Sequence, residues 1–141
     1  MTRSVAEVTV GMQIPAQTFS IDRANLVRYA GASGDFNPIH WSQQTAQAAG
    51  LPDVIAHGML TMALAVRVVT DWIGDPGALL SYGVRFTRPI VVEHGIPSQL
   101  EVSGTIRSVD AEARTAEVQL SALVAGQPVL IKARATVRLE A

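Results

Sequence analysis

Three segments in the second half of the chain alternate between apolar and polar residues. They cover residues 100–107, 117–122 and 129–139. This period of two predicts antiparallel strands with one buried face, joined by turns at 110–114 and 125–127. In the last segment the alternation puts Ile131 on the buried face, together with Val129 and Ala133. A fourth strand is predicted over residues 82–92, interrupted or edged at Pro89.

The first half of the chain has a mixed pattern. Residues 13–20 resemble a short strand, and Asp22 is a typical N-cap. The apolar stripe that follows predicts a helix ending near Gly31. Residues 32–41 are rich in turn formers and predict a loop. Ser42 is a second plausible N-cap, for a brief helix closed by Gly50.

Residues 58–73 form the most helical segment of the chain. They are apolar nearly all round, whereas a surface helix needs a wide polar face, so we expect other structure to wrap this helix. Residues 74–77 end it. One long buried helix and a run of antiparallel strands predict an α+β domain covering residues 1–141, in which a curved sheet wraps the helix. This is the hot-dog architecture. An open edge strand in such a sheet predicts a dimer.

Composition narrows the functional classes. The chain has 141 residues, with 11 Lys and Arg against 12 Asp and Glu. It therefore lacks the excess of positive charge that is typical of nucleic-acid-binding proteins. It has no cysteine, which excludes disulfides, thiolate catalysis and cysteine-ligated metals. The longest apolar run, residues 62–66, is too short for a membrane span. No apolar signal segment follows Met1, so we expect a cytoplasmic protein.

The densest chemical signal lies in the loop at residues 32–41. Asp35 and His40 stand five positions apart, on a segment shaped by Gly34 and Pro38. A histidine beside a carboxylate suits reactions that move one proton at carbon and another at oxygen. The alternative is a structural turn, in which Asp35 bonds the backbone and His40 is a satisfied surface residue.

A second signal stands where the apolar helix begins, at His57, Gly58 and Met59. Backbone N–H groups at a helix N-terminus are unpaired, and a glycine lets a ligand approach them closely, which suits an oxyanion site. The alternative is a glycine that merely starts the helix. Asp35, His40 and His57 also match a two-histidine, one-carboxylate metal set, but their spacing does not demand a metal, and we expect none.

Taken together, these motifs resemble the MaoC-like family of (R)-specific enoyl hydratases and 3-hydroxyacyl-thioester dehydratases. The family signature runs from an aromatic residue through S-G-D-x-N-P-aliphatic-H to a small residue. Tyr29, residues 33–40 and Ala46 fit this signature, and the A-H-G-M segment at residues 56–59 follows at the family's spacing. The likeness is closest to the B subunit of the (3R)-hydroxyacyl-ACP dehydratase of mycolic-acid-type fatty acid elongation.

This resemblance implies reversible loss of water from a (3R)-3-hydroxyacyl thioester to give the trans-2-enoyl thioester. Asp35 and His40 would carry the proton transfers, in an order left open, and the Gly58 N–H would hold the thioester carbonyl. Asn37, His57 and Met59 would complete the substrate site. No cofactor is implied. The implied partners are an acyl carrier protein or CoA thioester and a second hot-dog subunit, identical or a sister.

Three alternatives remain open from the sequence. The first is an (R)-specific enoyl-CoA hydratase of β-oxidation or polyhydroxyalkanoate precursor supply, which would share the catalytic pair. The second is a hot-dog subunit that binds acyl thioesters without turnover. The third is a hot-dog thioesterase, which would release a free thiol.

Overall fold

A computed structural model describes residues 2–141 of the chain. Helices and strands follow one another in the order β1 (Gln13–Ile21), α1 (Arg23–Ser33), α2 (Gln43–Ala48), α3 (Gly58–Ile73), β2 (Leu79–Phe86), β3 (Ser98–Asp110), β4 (Thr115–Val124) and β5 (Gln127–Arg138). Short 3-10 turns at Val5–Glu7, Pro38–His40 and Pro76–Ala78 complete the list.

The five strands form one antiparallel sheet in the order β1-β3-β4-β5-β2. The predicted meander β3-β4-β5 is therefore confirmed, and β1 and β2 are the two edge strands. The inner face buries the residues that the alternation assigned to it in β3 and β4, from Leu100 to Ala122. This face forms one continuous core with α3.

Helix α3 lies across the concave face of the sheet, as expected for an α+β hot-dog fold. Its buried side chains are Thr61, Ala65, Val68, Val69 and Ile73. The Tyr82 hydroxyl of β2 donates to the Met62 carbonyl at 2.9 Å, which ties the edge strand to the helix. Burial raises the pKa of Tyr82 to about 12, so the hydroxyl keeps its proton at neutral pH. Within residues 2–141, no helix combines the length and hydropathy that crossing a bilayer requires.

Within a single chain, only one side of α3 is covered by other structure. The sheet covers the face that carries Ala65 and Val69, whereas Met59 in the first turn is 57% exposed. Met62 and Val66 are half-buried. The expectation of a helix wrapped on all sides is met only on the face toward the sheet.

Helix α1 is longer than the pattern predicts. It continues past Gly31 to Ser33, and Gly34 ends it with φ 76°. A left-handed residue after the last turn is the usual glycine C-cap, and Gly31 lies inside the helix at a position that needs no special backbone angle. The predicted end near Gly31 is therefore wrong by two residues, and the last turn leads directly into the loop that carries Asp35.

Strand β2 begins and ends earlier than predicted. It covers Leu79–Phe86 instead of residues 82–92. Proline cannot donate to a ladder, and pairing with β5 stops at Phe86, before Pro89. Residues 90–92 instead pair with residues 54–56, through Ala56 N–H to the Ile90 carbonyl at 2.8 Å.

The alternation in β5 breaks at a bulge. Ile131 is 37% exposed, while Leu130 is buried, so the predicted inward position of Ile131 is wrong. Lys132 has φ 49°, and the pairs Leu120 with Ala133 and Ala122 with Leu130 place an extra residue in β5. An extra residue in one strand reverses the side-chain alternation beyond it.

Candidate active site

The turn that follows α1 positions the Asp35 carboxylate. The Asp35 N–H donates to the Ser33 hydroxyl at 3.2 Å, and the Asn37 N–H donates to Asp35 Oδ1 at 3.1 Å. This aspartate turn uses one carboxylate oxygen to hold the backbone and leaves Oδ2 free. The Asp35 side chain is 51% exposed, so its carboxylate lies at a surface that solvent or substrate can reach.

A single 3-10 turn then carries His40. Asn37 caps this turn, because its Oδ1 accepts from the Ile39 N–H at 3.2 Å. The His40 side chain is only 9% exposed. Its Nδ1 lies 2.7 Å from the Ile55 carbonyl, and the Ile55 N–H donates to the Ile39 carbonyl at 3.2 Å. The loop is therefore fixed to the segment that leads into α3.

An ion pair anchors that segment from the other side. Arg23 donates to Asp53 Oδ1 at 2.8 Å and to the Val92 carbonyl at 2.6 Å. The Val92 N–H donates to the Val54 carbonyl at 2.9 Å. These bonds join α1, the segment before α3 and the segment after β2. Through Ile55 they also fix the position of His40.

Asp35 and His40 face each other across a short gap. His40 Nε2 lies 3.9 Å from Asp35 Oδ2. A carbonyl only accepts hydrogen bonds, so the bond to Ile55 requires the proton of neutral His40 to be on Nδ1. Nε2 then presents a lone pair toward the carboxylate. A distance of 3.9 Å is too long for a direct hydrogen bond, but one water, which has two O–H donors, can bridge both acceptors.

His57 packs behind this pair. Its ring is 1% exposed and stacks on the His40 ring, with centroids 3.8 Å apart and planes 23° apart. Its Nε2 donates to the Asp35 carbonyl at 3.1 Å, while Nδ1 is buried with no hydrogen-bond partner. The Tyr29 ring contacts it edge-on at 4.8 Å. Burial lowers the pKa of His57 and outweighs the opposing effect of its hydrogen bond to the Asp35 carbonyl, so the ring is neutral at physiological pH.

His40 and Gly58 line one cavity of about 290 Å³. Gly58 is the first residue of α3, so its N–H has no partner within the helix. The remaining wall is mostly apolar: Ile55, Ala56, Thr61, Phe86, Ile90 and Val129 contribute to it. A histidine ring and an unpaired N–H donor therefore meet on one mostly apolar chamber, which is the usual character of a small-molecule site.

The other residues assigned to the substrate site lie elsewhere. Asn37 bonds the loop, His57 stacks on His40, and Met59 is exposed; none of the three lines the cavity. The sequence analysis did not single out Phe86 and Arg88, which do line it. Phe86 is the last residue of β2 and Arg88 follows it, and residue pattern alone gives no signal for this early end of the strand.

Donor atoms of Asp35, His40 and His57 lie within 4.8 Å of one another, close enough for a shared metal. The two imidazole rings are stacked, however, and the lone pair of each lies in its ring plane. Stacked rings direct their lone pairs side by side, whereas tetrahedral or octahedral ligation needs lone pairs that converge on one ion. The arrangement therefore suits proton transfer better than metal binding.

Comparison with known proteins connects this geometry to a family. The family model described as MaoC like domain matches residues 5–125. A 3-hydroxyacyl-thioester dehydratase X from Mycobacterium tuberculosis is 38% identical over 78 residues, which is 55% of this chain and 27% of that protein. An (R)-specific enoyl-CoA hydratase from Rhodospirillum rubrum is 28% identical over 123 residues, covering 86% of this chain and 82% of that protein.

The same family is found among solved structures. A MaoC-like dehydratase superposes with a TM-score of 0.96 and 42% identity, covering 99% of this chain and 43% of that one. The chain thus spans less than half the length of this structure and about a quarter of the mycobacterial dehydratase.

Proposed function

The chain belongs to the MaoC-like domain family, and from this premise we propose that it interconverts (3R)-3-hydroxyacyl and trans-2-enoyl thioesters. The observation that carries the proposal is the placement of His40 and Gly58 on one apolar cavity, with the Asp35 carboxylate 3.9 Å from His40 Nε2. The physiological direction we propose is dehydration during fatty acid elongation.

The Asp35 and His40 pair supplies the two proton transfers. In hydration, water adds its oxygen to C3 of the enoyl chain and a proton is added at C2. A water bridging His40 Nε2 and Asp35 Oδ2 donates to both acceptors and keeps an oxygen lone pair for C3. As the C3–O bond forms, one member of the pair takes one proton of the water, and the other proton stays on the new hydroxyl. The pair then delivers the captured proton to C2. Dehydration runs through the same positions in reverse. The thioester acidifies the proton at C2, so the reaction needs only a base and an acid held within reach of the reacting atoms.

The Gly58 N–H stabilises the thioester oxygen. Electron density moves from C2 onto that oxygen as the proton leaves or arrives, and a fixed donor at a helix N-terminus favours the resulting negative charge. Because Gly58 and His40 share one cavity, a single thioester reaches both groups. The apolar wall of Ile90 and Val129 then takes the start of the acyl chain.

We also propose that two subunits assemble for activity. β2 is an open edge of the sheet, and Leu80 and Phe86 on it are exposed, as is Met59 on the neighbouring helix. Pairing with a second copy or a sister hot-dog subunit covers such an edge. Sedimentation at micromolar concentration tests this, since a fully active 15.0 kDa species contradicts it.

The carrier of the acyl chain is the next part of the proposal. We propose an acyl carrier protein thioester as the substrate, as the resemblance to an acyl carrier protein dehydratase implies. The CoA thioester is the second candidate, because one relative is named as an enoyl-CoA hydratase, while another is named for 3-hydroxyacyl thioesters with no carrier specified. Matched trans-2-enoyl chains on the two carriers are compared by the loss of enoyl-thioester absorbance. A higher kcat/KM on the carrier protein supports elongation, and a higher value on CoA supports the enoyl-CoA hydratase.

A binding subunit without turnover is the candidate from another class. It predicts that the purified chain protects an enoyl thioester without changing its absorbance, alone or with a sister subunit. The free Asp35 Oδ2 and the His40 Nε2 that faces it at 3.9 Å favour the enzyme, because a structural turn would have no need of either atom. Release of free thiol in the same assay would instead identify a thioesterase.

A further inference from the structure

His57 is the side chain that contacts both members of the proposed catalytic pair. It donates from Nε2 to the Asp35 carbonyl at 3.1 Å, and its ring stacks on His40 with centroids 3.8 Å apart. It does not line the cavity. We infer that His57 is a positioning residue, which sets the gap between the Asp35 carboxylate and His40 Nε2. This inference rests on the proposed function and deepens it.

The two contacts act on different parts of the site. The Asp35 carboxylate is half-exposed, and its one side-chain hydrogen bond reaches only two residues along the chain, to the Asn37 N–H. The bond from His57 to the Asp35 carbonyl ties this loop to the N-terminus of α3, across 22 positions of sequence. The stacked ring meanwhile limits rotation of His40 about its bond to Ile55. Without His57 both partners would have freedom to move apart.

The tautomer of His57 follows from its bonding. A carbonyl only accepts, so the proton of neutral His57 is on Nε2, and Nδ1 is an acceptor without a donor. Asp35, His40 and Tyr29 are the titratable groups that face the ring. A neutral ring against His40 allows His40 to take up a proton during turnover, whereas a charged ring at 3.8 Å would oppose it.

A buried acceptor without a donor reduces stability, so a residue kept only for packing would be better served by phenylalanine. His57→Phe retains a flat ring for stacking, removes the unpaired Nδ1 and deletes the donor to Asp35. His57→Gln keeps the donor, since its amide nitrogen reaches the position of Nε2, but it has no ring to stack on His40. The exposed His94 provides the matched control as His94→Gln.

Kinetics on an enoyl thioester test the inference. We expect His57→Phe to lose about 10–100-fold in kcat with KM and Tm close to wild type, because misplaced groups slow the chemical step. His57→Gln should recover part of that loss, and His94→Gln should match wild type. The inference is overturned if His57→Phe keeps wild-type kcat, if the loss is in KM alone, or if His57→Gln is no better than His57→Phe.

A second measurement does not depend on activity. ¹⁵N NMR of the histidine rings should show His57 as the Nε2–H tautomer, and the His40 ring signals should shift in His57→Phe but not in His94→Gln. Unchanged His40 signals in His57→Phe would overturn the positioning role. Absence of hydratase activity in the wild-type chain with normal NMR behaviour would instead contradict the proposed function and leave the contacts of His57 intact.

Discussion

Replacing Gly58 with proline removes one backbone N–H and little else. Gly58 is the first residue of α3, where proline is favoured because the helix does not use that N–H. His57 before it has φ −59° and ψ 131°, which is the extended conformation that a residue preceding proline adopts. The helix and its entry are therefore compatible with proline. The proposed donor to the thioester oxygen is lost.

Gly58→Ala is the control for the added carbon atoms. A Cβ at this position lies 3.1 Å from Cε1 of Phe86, so both substitutions press on the same ring. Phe86 is half-exposed, and its side chain is free to turn away. Alanine keeps the N–H and adds the same Cβ, so the difference between the two variants reports the lost donor together with the two further ring carbons of proline, and the KM values show whether those carbons block the substrate.

Loss of one oxyanion donor costs about 10²–10³ in kcat, or about 2.7–4 kcal/mol of transition-state stabilisation. We therefore expect Gly58→Pro to turn over at least about 100-fold more slowly than Gly58→Ala, with similar Tm values. Initial rates on a short trans-2-enoyl thioester and thermal denaturation of both variants measure this. A rise in KM at constant kcat would mean that the proline ring only blocks the substrate. Equal kcat values in the two variants would refute the role of the Gly58 N–H.

Three further outcomes are expected. Asp35→Asn and His40→Ala should each lower kcat about 10²–10⁴-fold, and the double variant should lose little more because the pair acts as one unit; losses that multiply would contradict this. Arg23→Ala should lower the free energy of unfolding by about 1.5–3 kcal/mol in urea titrations, since a charged donor to Asp53 and to a backbone carbonyl is lost; an unchanged midpoint would contradict it. Burial lowers the pKa of His57 from 6.5, so below pH 6.5 the unfolded chain binds a proton at His57 more readily than the folded chain does. The contribution of His57 to the free energy of unfolding is therefore complete above pH 6.5 and is lost as the pH falls below it. The slope from this one group is at most about 1.4 kcal/mol per pH unit and should disappear in His57→Gln; identical pH profiles of wild type and variant would contradict the assignment.

The sequence predicts most of the fold because most of it follows from local pattern. The period of two locates β3 and β4, and the largely apolar segment from Gly58 to Ile73 matches α3 at both ends. The errors arise where a single residue changes the backbone course. The bulge with Lys132 at positive φ reverses the alternation at Ile131, and neither lysine nor isoleucine is a residue type that predicts a bulge.

In the candidate site, too, the features that depend on local sequence are predictable and those that depend on tertiary contacts are not. Asp35 and His40 are close in sequence, so their convergence follows from the loop that carries them. The stacking of His57 on His40 depends on how the segment before α3 pairs with residues 90–92, which is a tertiary contact. Phe86 and Arg88 reach the cavity only because β2 ends before Pro89. Motif spacing carries no information about such contacts.

The stereochemistry of hydration tests the central claim most directly. The purified chain, with a sister subunit where one is needed, is incubated with a trans-2-enoyl thioester in buffer containing EDTA, and the 3-hydroxyacyl product is resolved on a chiral column. The proposed function predicts the (3R)-3-hydroxyacyl thioester, formed without added metal and lost in His40→Ala. An (S) product, or equal turnover by His40→Ala, would contradict the account.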